Sequence, residues 1–220
     1  MRVSAIVPVL NEERFIGECL SSLERQTIRP AEIIVVDGGS TDRSVEVARS
    51  FPGVRVYLMK GGSPPGWRRI AEQRDAALRL SRFEVIASCD ADSIYPPRWI
   101  EKGLSSLRGD VVAVWGPILP RQRTLLAEAI CLIKNFASGI TSIVAPSLSW
   151  RGANLIFLRD AFGGFVGKYD SDVWNLFSSK RYGRIVYDHR NFIYTDVPSE
   201  WIREYLLVGI GVALAAGGKK

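Results

Sequence analysis

The first half of the chain alternates short apolar runs with stretches in which apolar residues recur at helical spacing. Residues 2–9 (RVSAIVPV) are apolar and β-branched, which predicts a buried strand ending around Pro8 and Asn11. Asn11 suits the N-cap of a helix from Glu12, in which Phe15, Ile16, Cys19, Leu20 and Leu23 share one face. A second strand, residues 32–36, runs into Asp37-Gly38-Gly39-Ser40-Thr41-Asp42, where Ser40 or Thr41 can cap a helix ending near Arg49. A third strand, residues 54–59, gives way to the glycine- and proline-rich residues 60–66, and a helix over residues 67–80 follows. Residues 83–93 (FEVIASCDADS) then form a short apolar strand that ends on two aspartates. Such β-α-β-α-β-α-β alternation with short loops predicts an α/β fold, a mostly parallel central sheet with helices on both faces.

In a parallel sheet the loops after successive strands lie on one edge, so PVLNE, DGGSTD and CDADS would build one site. Asp90 and Asp92 are two residues apart, and in extended backbone such residues point to the same side. Two converging carboxylates suit a hard divalent cation, Mg²⁺ or Mn²⁺, which takes few protein oxygens and completes its shell with substrate phosphates. The alternative for the DAD triplet alone is a solvated polar turn.

Composition narrows the picture modestly. Hydrophobic residues make up 47% of 220, enough for a core in one domain of ordinary size, so disorder is excluded as an overall state. A net charge of +6 favours anionic partners, but no aromatic-interleaved basic stripe points to nucleic acid. Cys19, Cys89 and Cys131 are odd in number and lack CxxC spacing, so they are expected in the core of a protein in a reducing, cytoplasmic setting. The chain opens directly on a strand pattern, without the features of a signal peptide.

Three motifs carry a resemblance. VSAIVPVLNEERFIGECLSSL, EIIVVDGGSTDRSVEVA and EVIASCDADS followed by PPRWIEKGLSSL are similar to the nucleotide-sugar-binding half of family 2 inverting glycosyltransferases of GT-A fold. The resemblance covers most of residues 3–110 and continues more loosely to about 190. It implies a nucleotide-sugar-binding half over 1–110 and an acceptor half over 111–198. It also implies that Pro8, Leu10 and Glu12 border the nucleoside and that Asp37 accepts a hydrogen bond from the base. Asp90, with Ala91, would lie at the ribose, and Asp92 with Asp90 beside it would hold the metal that bridges the diphosphate. Relatives often carry a second acidic residue where this chain has Gly38, which touches base selectivity. They often have Arg-Asn where it has Arg74-Asp75, and Arg69 resembles a family arginine at the diphosphate. The other reading of Arg69 and Arg74 is a solvated helix face.

The second half continues with a strand over residues 110–116. Residues 125–148 carry only Glu128 and Lys134 as charges, and with Pro146 they read as a buried helix pair, the rival reading being an apolar surface beside the acceptor site. Gly152-Ala153-Asn154 resembles the family's GxN strand, which places Gly152 and Asn154 beside the donor sugar. Further on, Ser171-Asp172 stands where relatives have an acidic pair opening a helix. That resemblance puts the catalytic base on Asp172, with Asp170 as its rival. An inverting transfer needs one carboxylate to take the acceptor hydroxyl's proton and needs stabilisation of the departing diphosphate. His189, the one histidine, is either structural or a further metal ligand.

From residue 199 the composition shifts to an apolar C-terminal helix. Its uncharged run, residues 205–218, would measure about 21 Å, too short for a bilayer core of about 30 Å. Gly209, Ala213 and Gly217 fall four apart, a face for close helix contact. Flanking basic residues make a cytoplasmic membrane surface one candidate partner, and the domain itself or a second copy in a homo-dimer are the others.

The activity these features imply is metal-dependent transfer from a nucleotide-sugar to a saccharide hydroxyl or a lipid-linked acceptor, UDP-sugars first and GDP-mannose second. The alternatives are a nucleotidyltransferase and a non-catalytic nucleotide-sugar-binding module. A dinucleotide oxidoreductase is disfavoured because no GxGxxG follows the first strand.

Overall fold

A computed structural model of the chain describes residues 1–59, 67–122, 124–144, 152–165 and 183–197. The chain begins β1 (Val3–Val9), α1 (Ile16–Glu24), β2 (Glu32–Asp37), α2 (Ser44–Arg49), β3 (Val54–Leu58), α3 (Trp67–Leu80) and β4 (Val85–Ser88). It continues through β5 (Ser93–Ile94), α4 (Trp99–Ser106), β6 (Val111–Trp115), β7 (Ile118–Pro120), α5 (Leu125–Val144), β8 (Leu155–Leu158), β9 (Arg184–Tyr187) and β10 (Ile193–Thr195). Seven strands form a sheet in the order β3-β2-β1-β4-β8-β6-β9, and β5-β10-β7 form a smaller one. All pairs in the large sheet are parallel except those of β8, which runs antiparallel to both β4 and β6.

Every residue of β1, β2, β4 and β6 is buried, as strands covered on both faces must be. Strand alternation divides their side chains between two apolar layers. Val3, Ala5, Val7 and Val9 pack with Ile16, Leu20 and Leu23 of α1 and with Trp99 and Ile100 of α4. Ile6, Ile34 and Ile86 face the other way, toward Ala71 and Ala77 of α3 and the aromatic trio Phe157, Phe162 and Phe165. All three cysteines are buried and unbridged, as expected. Burial pushes the Cys19 and Cys89 thiols well above their usual range, so neither is a nucleophile.

Two caps differ from expectation. Asn11 lies in the left-handed region (φ 56°) and does not cap α1, which starts five residues later. Its side-chain oxygen instead accepts the Thr41 N–H at 2.8 Å, tying the loop after β1 to the loop after β2. Neither Ser40 nor Thr41 caps α2; the Asp42 carboxylate accepts the Ser44 N–H at 3.0 Å at the start of that helix. Asn11, Ser40 and Thr41, the side chains that suited capping, are used between the loops, because the two strand ends lie side by side.

The larger correction is α5. The expected buried pair is a single helix to Val144, and residues 145–148 lie outside the described residues. Ala127, Ile130 and Cys131 are buried, while Leu125, Leu132, Ile133 and Phe136 are 88%, 70%, 58% and 70% exposed. Among the described side chains of this largely apolar helix, only one face meets the domain. No described helix is long and apolar enough to cross a membrane.

At the edge remote from the motif loops, Glu32 pins the sheet. Its buried carboxylate accepts from the Ser4 hydroxyl (2.7 Å), the Arg82 N–H (2.8 Å), and the guanidiniums of Arg55 (2.6 Å) and Arg82 (3.1 Å). Burial would raise its pKa, but these donors outweigh it and hold the carboxyl below its ordinary range. Both arginines reach solvent and can rehydrate, so Glu32→Gln is expected to cost about 2 kcal/mol, below the usual loss for a broken buried pair. A folded-state pKa below the unfolded value gives stability that is present above about pH 4.3 and lost as pH falls through the folded pKa. Thermal unfolding should therefore show a gap between wild type and variant at pH 7 that narrows below pH 4.

Candidate active site

The registers Val9↔Asp37, Pro8↔Val36 and Ile6↔Ser88 bring the carboxyl ends of β1, β2 and β4 to one edge, so the three motif loops do meet. Gln73 of α3 fastens the first two ends together: its amide donates to the carbonyls of Val9 (2.7 Å) and Val36 (2.8 Å). The Gly38 N–H adds a bond to Val9 (2.9 Å).

Asp37 is buried, and its carboxylate accepts the N–H groups of Gly39 (2.9 Å) and Ser40 (3.1 Å), which orders the turn. Gly38 packs against α3, and a Cβ there would lie 3.0 Å from both Arg69 Cδ and Gln73 Nε2. A second acidic residue at this position would have to displace both side chains, so the glycine follows from the close approach of α3. The same contact brings Arg69 over the Asp37-Gly38 turn. Pro8 is buried within β1, Leu10 is half-buried just beyond it, and Ala91 is buried in the core.

Glu12, Asp90 and Asp92 are half-buried on this edge. Loss of hydration, then repulsion from Asp92, Asp90 and Asp196, pushes the Glu12 carboxyl up to about 7. Asp92 is likewise pushed up to about 7, by burial first and then by Asp90, with Asp196 adding to it. The Ser93 hydroxyl donates to the Asp92 carboxylate at 3.0 Å without offsetting this. Four carboxylates from three separate parts of the chain therefore share a poorly solvated edge. Like charges so placed favour a cation or a proton.

Among the described residues no three His, Cys, Asp or Glu side chains cluster tightly enough to hold a metal by themselves. That fits an ion taking one or two carboxylates and finishing its shell with phosphate and water oxygens, and the donors here are oxygens alone. Asp90 has a counter-charge of its own in Arg74, 5% exposed, whose guanidinium pairs with the Asp90 carboxylate. Arg74 reaches it by crossing Gly152, where a Cβ would fall 2.1 Å from the guanidinium, and it lies 5.8 Å from the centre of the Phe165 ring.

Asn154 adjoins the edge, just before β8, but its side chain is engaged elsewhere. Fully buried, it accepts from the Trp99 indole N–H (2.7 Å) and donates to the carbonyls of Pro117 (2.9 Å) and Asn191 (2.8 Å). Its amide is spent on joining α4, β8 and the loop before β10, so its described role is structural support. His189 is exposed in the turn before β10. Asp172 and Asp170 lie outside the described residues, as does the uncharged run 205–218.

Gln73 and Asp196 join the site without having been singled out for it in the sequence, and Arg74, weighed there against a solvated helix face, is buried in it. Arg74 carried a local signal, the Arg-Asp dipeptide in the helix before the DAD strand. Asp196 carried none: it reaches the site because β10 pairs with β5, one residue beyond Asp92.

Residues 4–127 match the family model described as Glycosyl transferase family 2. The dolichyl-phosphate hexose transferase of Haloferax volcanii is 29% identical over 146 residues, covering 63% of this chain and 60% of that protein. Glycosyltransferase AglE of the same organism is 30% identical over 118 residues, covering 52% and 38%. The chain spans 26% to 60% of the length of the first curated relatives. Among solved structures, a mannosyltransferase of Pyrobaculum calidifontis in complex with GDP-Man and Mn²⁺ superposes with a TM-score of 0.66 at 21% identity, covering 93% of this chain and 59% of that one. Glucosyl-3-phosphoglycerate synthase of Mycobacterium tuberculosis, with Mn²⁺, UDP-glucose and phosphoglyceric acid, gives 0.63 at 19%, covering 92% and 76%. At these identities the structures share the fold.

Proposed function

The chain belongs to glycosyl transferase family 2, with its GT-A type α/β fold, and on that premise we propose that it transfers a sugar from a nucleotide-sugar, with inversion and with the help of a divalent cation. The observation that carries this reading is the set of four carboxylates on the strand edge, with Glu12 and Asp92 pushed up by burial and by one another. Asp92, with Asp90 beside it, would hold Mn²⁺ or Mg²⁺. Bound there, the ion would neutralise charge on the departing diphosphate. Arg69, over the Asp37-Gly38 turn, adds positive charge on the same side, and the turn itself offers the nucleoside a polar wall. Asp172 takes the proton from the acceptor hydroxyl as it attacks the anomeric carbon, and no covalent intermediate is required.

UDP-sugars are the first choice of donor and GDP-mannose the second, as partners of the solved neighbours include both UDP-glucose and GDP-Man. A hydrolysis screen of UDP-, GDP- and dTDP-sugars with each metal tests the reading. Turnover that needs a metal and selects one donor supports it. Tight nucleotide-sugar binding with no turnover under any condition would favour the non-catalytic module.

For the acceptor we favour a lipid-linked molecule at the cytoplasmic face of a membrane, because the exposed stripe of α5 begins beside the acidic edge. Gln122, three residues before the helix, bonds Asp196 through its amide and accepts the Val197 N–H at 3.1 Å. Exposed Leu132, Ile133 and Phe136 would add about 25 cal/mol per Å² of apolar area removed from water. The chain is expected to co-sediment with anionic vesicles at low salt, and Leu132→Glu with Phe136→Glu should weaken this strongly. Pelleting that does not depend on these side chains moves the membrane contact away from α5, and no pelleting at all removes the membrane reading in favour of packing on the domain or on a second copy.

A further inference from the structure

We propose that the Tyr95 hydroxyl is a positioning group for the Asp90–Asp92 turn, a spacer that holds β4 and β8 apart where the carboxylates emerge; this rests on the reading of that turn as the metal and diphosphate site. The register of the two antiparallel strands carries the inference. Val85↔Leu158 and Ser88↔Leu155 are partners, and continuing two steps past Ser88 sets Asp90 opposite Ala153. Arg159 donates its N–H to the Glu84 carbonyl at 2.9 Å, which marks that pair as hydrogen-bonded. Hydrogen-bonded pairs alternate along an antiparallel ladder, so Asp90 and Ala153 occupy a position where a direct backbone bond is due. The phenol oxygen of Tyr95 takes its place. It accepts the Asp90 N–H at 2.8 Å and donates its own proton to the Ala153 carbonyl at 3.0 Å.

One side-chain oxygen thus replaces a rung and widens the gap between the strands. Tyr95 is 1% exposed, and its ring packs tilted against Trp99 with centroids 4.4 Å apart. Its own backbone is fixed by Ser22 of α1, whose Oγ accepts its N–H (3.1 Å), and by Gln26 just past that helix, which donates to its carbonyl (3.1 Å). The Asp90 carbonyl is also held, by the Cys19 thiol at 3.3 Å and the Ser93 N–H at 3.2 Å. Above the gap, Arg74 crosses Gly152 to meet the Asp90 carboxylate. Without the hydroxyl, either the strands close onto each other or two part-buried backbone groups lose their partner. Both outcomes re-aim Asp90 and Asp92, and small misplacements at a reacting centre are costly.

The test is the metal increment in nucleotide affinity, the ratio of UDP dissociation constants without and with Mn²⁺. It is measured on wild type, Tyr95→Phe, Asp92→Asn and Ile100→Ala, the last a buried α4 variant that loosens the same core without touching Asp90. Tyr95→Phe is expected to lower the increment by about tenfold, toward the affinity seen without metal, and Ile100→Ala to keep it. If Tyr95→Phe does not fold, Cys19→Ala, which removes one of the two donors to the Asp90 carbonyl and leaves the Ser93 N–H, takes its place and should lower the increment to a smaller extent. A wild-type increment lost in Asp92→Asn but kept in Tyr95→Phe overturns the spacer role and leaves the metal site standing. Equal losses in Tyr95→Phe and Ile100→Ala overturn it as general loosening. No increment in wild type overturns the metal reading itself.

Discussion

Asp172→Asn is expected to slow single-turnover transfer by about 10²- to 10⁴-fold, the range for a lost general base, with donor affinity unchanged. A base acts as the acceptor hydroxyl attacks, so its removal is felt in the transition state and hardly in the ground state. Rapid-quench measurement of sugar transfer, beside equilibrium binding of the donor, separates the two. Asp170→Asn is the control. If it is inactive while Asp172→Asn turns over, the base lies two residues earlier and the register assigned to this segment is wrong. If both variants transfer at the wild-type rate, neither carboxylate is the base.

The second large effect belongs to Asp92. Asp92→Asn is expected to reduce UDP affinity in Mn²⁺ to its metal-free value, because a neutral amide oxygen is a poor substitute for a carboxylate beside a hard cation. The fold should not suffer. Asp92 is a repelled charge, pushed up by burial and by Asp90 and Asp196, so its neutralisation relieves strain and the melting temperature should hold or rise. An enzyme that keeps such a charge does so at some expense of stability. A variant that unfolds at much lower temperature would show that Asp92 is a structural residue.

The strand edge was legible in the sequence because it is built from local signals. β1, β2 and β4 are short apolar runs, and each ends in a polar loop whose position follows from strand alternation and parallel order. Asp90, Asp92, Asp37 and Glu12 could be placed on one edge before any contact was known. What pairs with them could not. Tyr95 fills a rung between β4 and β8, two antiparallel strands that are more than sixty residues apart. Asp196 arrives through the pairing of β10 with β5. Asn154 carries a motif that suggests contact with a sugar, yet its amide is taken up by three groups from distant segments.

α5 shows the limit from the other side. An almost uncharged run suggests burial, since apolar side chains leave water when they can. Burial also needs a surface to bury against, and composition says nothing about whether one exists. Here Asn135 anchors the helix to β7, accepting from the Ile118 N–H (3.0 Å) and donating to its carbonyl (2.7 Å), while the opposite stripe stays in solvent.

The central claim is that the acidic edge binds a nucleotide diphosphate through a divalent cation. Calorimetric titration of UDP into the wild-type chain at pH 8, once in Mn²⁺ and once in chelator, tests it most directly. At that pH Glu12 and Asp92, both pushed up to about 7, are mostly ionised. Binding should tighten by about tenfold or more with the metal, a gain of about 1.4 kcal/mol at the least. Equal affinity in Mn²⁺ and in chelator would contradict the claim.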